Sequence, residues 1–288
     1  WENRNPDAML PMEFFQNMSF TGANTALALV TFSLLGGLFF MTQYLQSILG
    51  YTPLQAGILL LPQAITLTLV AANSARISAR LGTKYTVALG IGIGALGMLF
   101  MSRFYHADTP YSTILIGQLI LATGLGTAMS PATNSIMGSV PVHKAGIGSA
   151  MNDTTRQLGG ALGVAVLGTI LNSTYLRNIQ SLLDSLAPAA PQQALDAIAS
   201  SIQGAHAVVA NSPIPIPDAI AQNIINTTNN AFVAGMSESL LIGGIIMLLA
   251  AGLTLLILPA QVRRSTADGQ LEPVDLAEVV APAASGTD

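Results

Sequence analysis

Residues Gly146–Ile170 read GIGSAMNDTTRQLGGALGVAVLGTI, and this stretch decides the fold. Its first half is polar and carries Asp153 and Arg156; its second half is uncharged and studded with Gly159, Gly160, Gly163 and Gly168. From Gln157 to Leu176 no charge occurs, which is the run of about 20 residues that a helix needs to cross the hydrocarbon core. Small residues four apart (Gly159/Gly163, Ala161/Ala165) let a second helix approach backbone to backbone. Lipid supplies no hydrophobic drive between helices, so such close contact must do the joining. The stretch is a packing helix of a membrane bundle with a charged cluster at one end.

Composition agrees. The chain has 288 residues, 51% hydrophobic and only 8% charged, against about a quarter charged in a soluble domain. A net charge of −4 argues against nucleic acid as a partner. The absence of cysteine removes disulfides, thiolate catalysis and Cys-ligated metals. Trp1–Leu10 lacks the apolar core of a signal peptide, and a start at Trp1 marks the chain as a piece of something longer.

Working outward from the deciding stretch, Phe14–Ala75 is free of charge and too long for one span; Gly50-Tyr-Thr-Pro53 divides it into helices at about 21–48 and 55–75. Helices at about 86–103 (with Gly90/Gly94), 112–138 (unwound or kinked near Pro131) and 232–258 complete six spans with the deciding one. Residues 1–20 form a cytoplasmic linker with an interfacial segment at Met9–Phe20. Residues 174–230 form a polar insertion outside the membrane, and 260–288 a cytoplasmic, disordered tail. The fold class is therefore an all-α membrane protein, with 21–259 as its six-helix domain. Eight of the 10 basic residues fall on one side if both termini are cytoplasmic, so the positive-inside rule sets that orientation.

The string AGIGSAMNDTTRQLGGALGVAVLGTI (Ala145–Ile170) resembles the penultimate helix of the fourteen-helix drug:proton antiporters, a branch of the major facilitator superfamily, and Tyr51–Gly57 resembles the outer loop after the first helix of that family's C-terminal half. The resemblance implies a six-helix C-terminal half of two inverted three-helix repeats. It implies as partners an N-terminal transporter half, a small hydrophobic or amphipathic substrate, protons and membrane lipids, in the cell membrane. The same fold with a lipid or metabolite as cargo, and a non-transporting membrane scaffold, are the alternatives. No cofactor is implied.

Residues 75–84 resemble the superfamily's loop motif between its second and third helices, roughly G-x-x-x-D-R-x-G-R-K. Arg80, Gly82 and Lys84 match it; Ala75, Ala79 and Thr83 depart from it, and the carboxylate is missing. Asp153 and Arg156, three apart on one helix face, are candidates for an ion-paired latch beside that loop. Amides cost free energy in lipid unless paired, so Gln43, Gln46, Gln63, Asn73, Gln118, Asn134 and Asn152 are expected to face the bundle interior or to pair between helices. With Phe39, Phe40, Met41, Tyr44 and Met129 they mark a greasy substrate cavity, of which Phe39, Phe40, Gln43, Tyr44, Gln63, Gln118 and Met129 are the candidate lining. Gly159, Gly160 and Gly163 are the packing contacts; Gly235, near the outer end of the last span, is expected to tolerate bulk. Glu238 is expected to snorkel to the interface. No nucleophile–base constellation or His cluster occurs, so no catalytic or metal site is assigned.

In a protein without native cysteine, single cysteines at Thr52, Thr109 and Ser185 should label from outside intact cells, and cysteines at Thr83 and Ser139 should not. Outside labelling at the α-helical turn around Thr83 would overturn the six-span topology.

Overall fold

Lipid offers the backbone no hydrogen-bond partner, so each apolar run must close its own bonds, and each does so as a helix. The computed structural model describes residues 12–141, 144–212, 216–259, 263–265 and 271–273. Expectations for 1–11, for His143 and for most of the 260–288 tail lie outside the described residues. Among the described residues, 6 helices are long and apolar enough to span. They are α1 (Met18–Gln43, continued by a π-helical turn at Tyr44–Ile48), α2 (Pro53–Leu81), α3 (Thr83–Phe104), α4 (Tyr111–Gly138), α5 (Ala145–Leu186) and α8 (Asp218–Ile257). Two short helices, α6 (Gln192–Ser200) and α7 (Ile202–Asn211), lie between the last two spans.

Local chemistry sets the ends. Asn17 accepts the Ser19 N–H at 2.9 Å and starts α1. Thr52 and Gln55 form a reciprocal capping box, with Pro53 in the first turn of α2. Gly82 has φ +85°, a conformation glycine adopts freely; its N–H closes α2 on the Ser78 carbonyl and the chain turns straight into α3. The segment around Pro131 is not unwound: α4 runs unbroken through it. A 3-10 turn at Met12–Gln16 precedes α1, where Phe14 and Phe20 pack 5.8 Å apart.

Residues 174–230, expected to be a polar excursion outside the membrane, are largely helical. The fifth helix continues to Leu186 and the last begins at Asp218, so α5 and α8 have 42 and 40 residues. At 1.5 Å per residue each is about 60 Å long, more than a bilayer is thick. Polarity ended the apolar run at Thr174 but not the helix, because the helix continues beyond the hydrocarbon. The tail is corrected in part as well: β1 (Arg263–Ser265) and β2 (Leu271–Pro273) pair antiparallel, so backbone hydrogen bonds order a stretch expected to be disordered.

The packing pattern has an internal two-fold. Exchanging α1, α2, α3 for α4, α5, α8 carries the α1–α5 contact onto α4–α2 and the α3–α4 contact onto α8–α1, and leaves α3 against α8. Glycine closes these contacts. A Cβ on Gly159 would strike the Ala28 carbonyl, and one on Gly163 the Phe32 carbonyl, joining α5 to α1. On Gly126 it would lie 2.7 Å from the Leu67 carbonyl, joining α4 to α2, and on Gly97 2.7 Å from the Leu121 nitrogen, joining α3 to α4. Gly235 is a correction: its Cβ would meet the Leu171 carbonyl at 2.6 Å, so the outer part of α8 does not tolerate bulk. Hydroxyls bridge the same seams, Ser239 donating to the Leu167 carbonyl at 2.9 Å and Ser102 to the Ser237 carbonyl at 2.8 Å.

Burial also changes the labelling experiment. Thr83, Thr109 and Ser139 are at most 6% exposed, so a cysteine there would be silent on either side. Asp108 and Arg80 are the exposed substitutes.

Gly163→Leu and Gly235→Leu should each cut the folded, monodisperse fraction several-fold in detergent, because backbone cannot give way. Gly252→Leu, whose Cβ has nothing within 4 Å, should leave it unchanged. Thermal size-exclusion profiles read the difference; a normal profile for Gly163→Leu would remove the close-contact account of this bundle.

Candidate functional site

The bundle has two unlike ends. One, the basic end, carries the α2–α3 turn with Arg80 and Lys84 and the α4–α5 connection with Lys144. The other, the hairpin end, carries α6 and α7.

At the hairpin end α1, α5 and α8 splay around a crevice of 460 Å³, within the roughly 300–1,000 Å³ usual for ligand pockets. Leu171, Tyr175 and Phe232 form its floor, and the α6–α7 junction Ser200–Ile202 its roof. Phe39, Gln43, Thr169 and Asn172 lie at its mouth. The roof is fastened by side chains. Gln203 donates to the Gln43 carbonyl oxygen at 3.2 Å and to the Ser47 hydroxyl at 3.1 Å; Tyr175 donates to the Ile198 carbonyl at 2.9 Å. His206 and Asn229 join α7 to α8 at 2.8 Å. No charged side chain lines the crevice.

Of the residues expected to share one cavity, Phe39 and Gln43 meet here and the others do not. Phe40 and Tyr44 are buried in the core, Tyr44 stacked on Tyr105 at 5.7 Å with its hydroxyl donated to the His106 carbonyl. Burial pushes the Tyr105 phenol well above its usual range, so it stays protonated. Met129 is half-buried on α4. Gln63 and Gln118 face each other's helices across the α2–α4 seam, bracketed by the Tyr111–Leu59 hydrogen bond (2.9 Å) and the Gly126 contact. Gln118 is 1% exposed, and neither amide atom has a partner among the described residues. Such a group costs about 1–3 kcal/mol. The tertiary contacts alone reveal that; an amide in an apolar run looks the same whether paired or orphaned.

The other amides sort by neighbour. Asn152 on α5 accepts from Thr133 on α4 at 3.4 Å, and Asn24 on α1 accepts from Thr155 on α5 at 2.9 Å. Asn24 was missed because a lone Asn in a small-residue run carries no periodic signal. Gln46, Asn73 and Asn134 are exposed, and Asn73 caps itself on the Leu69 carbonyl.

The latch is not formed. Arg80 and Asp153 are exposed, Lys84 and Arg156 half-buried, and no ion pair joins any of them among the described residues. Spacing of three on a helix permits a pair without compelling one, and an exposed pair gains little over water. The ion pair found lies at the hairpin end: Arg177 of α5 meets Glu238 of α8 at 3.1 Å, and Glu238 also accepts from the Thr174 hydroxyl. Glu238 therefore does not snorkel alone. Gly82 acts through its backbone angle, and Gly159, Gly160 and Gly163 all abut α1, Gly160 against Leu35. No group of acidic or His side chains could hold a metal among the described residues.

A family model described as Major Facilitator Superfamily matches residues 6–164. Over 250 residues the chain is 32% identical to the "Multidrug efflux pump LfrA" of Mycolicibacterium smegmatis, covering 87% of this chain and 48% of that protein. Over 255 residues it is 28% identical to the "Tetracenomycin C resistance and export protein" of Streptomyces glaucescens, covering 88% and 47%. Among solved structures it resembles a bacterial homologue of the human lysosomal transporter Spinster, in an inward-facing, unoccupied conformation. The TM-score is 0.58 at 16% identity, covering 85% of this chain and 50% of that one, a likeness of fold. The chain spans about half the length of the curated relatives it matches.

Gln118→Leu, which removes the orphaned amide at similar volume, should leave the melting temperature unchanged or raise it. A drop of several degrees would show that the amide has a partner in the folded protein.

Proposed function

The chain belongs to the Major Facilitator Superfamily, and from that membership we propose that it is the C-terminal half of a fourteen-helix drug:proton antiporter. In this reading the whole protein exports hydrophobic or amphipathic compounds by alternating access. The family is one of transporters, and the chain is not an enzyme.

The observation that carries the reading is the uncovered face of α2. Its apolar window is only 11% buried, and Leu54, Ile58, Leu61, Ile65 and Leu69 form an exposed stripe along it. The internal two-fold relates α2 to α5, whose Leu158, Leu162 and Val166 are exposed in the same way. Two symmetry-related helices standing open, in a chain of half the relatives' length, suit a second half docked across both. That half is the N-terminal six to eight helices of the same transporter.

The efflux and export activities in the relatives' names and the uncharged, aromatic lining of the crevice support this substrate class. The Arg and Lys residues of the basic end support a cytoplasmic position for it, and in this reading the α6–α7 hairpin lies outside the cell membrane and both termini inside the cell. Proton coupling needs a carboxylate that titrates inside the membrane. Of the acids on the six long helices, Asp153 is exposed near the basic end, Glu238 is held by Arg177, and Asp184 and Asp218 are exposed at the far ends of α5 and α8 beside the hairpin. The coupling acid accordingly belongs to the other half, and this half supplies cavity wall and gate.

Full-length protein in everted vesicles should drive substrate uptake when a proton gradient is imposed and lose it with a protonophore. Glu238→Gln should keep most of that uptake, since a half-exposed ion pair contributes at most about 1 kcal/mol. Gln43→Ala should change relative rates among substrates more than gradient dependence. Uncoupled transport by well-folded Glu238→Gln would place the proton site in this half, and no gradient-driven uptake by the wild type would end the antiporter reading.

A further inference from the structure

We propose that the crevice under the α6–α7 hairpin is a binding site for an uncharged aromatic compound bearing a carbonyl or hydroxyl group. It depends on the exporter reading only for the side of the membrane it faces. Shape and apolar content come first. The floor of Leu171, Tyr175 and Phe232 accepts a ring system, and Phe39 at the mouth is 42% exposed, apolar area that a bound ring would cover.

Hydrogen bonding then narrows the ligand. Most polar groups around the crevice are already committed. Thr169 donates to the Ala165 carbonyl, Ser200 to the Ala197 carbonyl, and Tyr175 to Ile198, while Ser201 accepts from Gly204. Two amides remain: among the described residues the nitrogen of half-buried Gln43 donates no bond, its oxygen being taken by Gln203, and exposed Asn172 makes none. Both line the crevice, one on α1 and one on α5, so a ring seated there has amide N–H donors available on two helices. A carbonyl or hydroxyl accepts such bonds.

Charge excludes the other class. No carboxylate lines the crevice, and Glu238 on α8 is held by Arg177 and Thr174. A lipophilic cation would lose water there without gaining a counter-ion. This separates the site from a general drug cavity that takes cations and neutral compounds alike.

The geometry also supplies a variant that closes the site without harming the fold. Gly168 lines the crevice, and a Cβ there has nothing within 4 Å, unlike Gly163 one turn away. Gly168→Leu fills the space; Asn172→Leu leaves the space and removes one amide.

The test uses benzophenone, itself an uncharged aromatic carbonyl and a photo-crosslinker, on full-length protein in nanodiscs, with adducts mapped by mass spectrometry. Saturable labelling is expected on the α1, α5 and α6–α7 peptides that line the crevice. Excess benzhydrol should compete and tetraphenylphosphonium should not. Gly168→Leu should cut labelling about tenfold, and Asn172→Leu should weaken benzhydrol competition about tenfold, the loss of roughly one hydrogen bond to ligand. Labelling that does not saturate, that spreads along the exposed stripe of α2, or that persists in folded Gly168→Leu would overturn the site. Competition by tetraphenylphosphonium or by added phospholipid would overturn the ligand class. If Gly168→Leu fails to fold, the Asn172→Leu competition decides. Because binding is read without a gradient, a protein that binds but does not export refutes the exporter reading and leaves this one standing.

Discussion

The rest of the structure depends on how closely α1 and α5 approach. Between two helices in lipid the only gains are van der Waals contact and hydrogen bonds, and both require backbones to come together. Gly159 and Gly163 bring α5 onto the Ala28 and Phe32 carbonyls of α1, and Gly36 of α1 returns the contact, since a Cβ there would lie 3.3 Å from the Gly163 carbonyl. Leu167, fully buried, then fills the space where α1, α5 and α8 converge, against Gly36 and Gly243. The next residue, Gly168, lines the crevice, and a Cβ on it would have nothing within 4 Å. Beyond it α5 stays on α8, through the Leu171 carbonyl at Gly235 and the Arg177–Glu238 pair, so the crevice is a gap beside a continuing contact.

The hairpin end and the basic end are held by different means. At the basic end polar side chains cross between spans, with Thr155 on Asn24, Ser135 on the Ser19 carbonyl and Thr133 on Asn152. At the hairpin end the spans outrun the bilayer, and a separate pair of short helices is tied across them by Gln203, Tyr175 and His206. Within the spans, hydroxyls serve themselves: Thr68, Thr123, Thr127 and Thr254 each donate to a carbonyl one turn back. A hydroxyl so satisfied can face lipid at little cost, which is why these residues do not by themselves mark a pathway.

Charge is scarce and placed at the margins of the bundle. An ion pair between α5 and α8 at half-exposed positions fastens the hairpin end without strong energetic weight. The exposed charges of the basic end, Arg80 and Asp153 among them, stand on α2 and α5, the helices with exposed apolar stripes. A pairing that spacing suggested within one helix is thus available for groups from outside the chain.

The sequence by itself determined the six spans, their approximate limits and the glycine seam of α5, because a helix in lipid must be apolar for a fixed length and small where it is approached. It determined the family as well, through Ala145–Ile170 and Tyr51–Gly57. It did not reveal where α5 and α8 end, since hydropathy reports the hydrocarbon and not the helix that continues past it. Only the tertiary structure decided which glycines matter: Gly235 and Gly168 look alike in the string, yet one abuts the Leu171 carbonyl and the other faces a void. The same holds for the amides. Gln43 reaches the crevice, Asn152 finds Thr133 and Gln118 finds nothing, because an amide's role depends on what a neighbouring helix brings within about 3 Å of it.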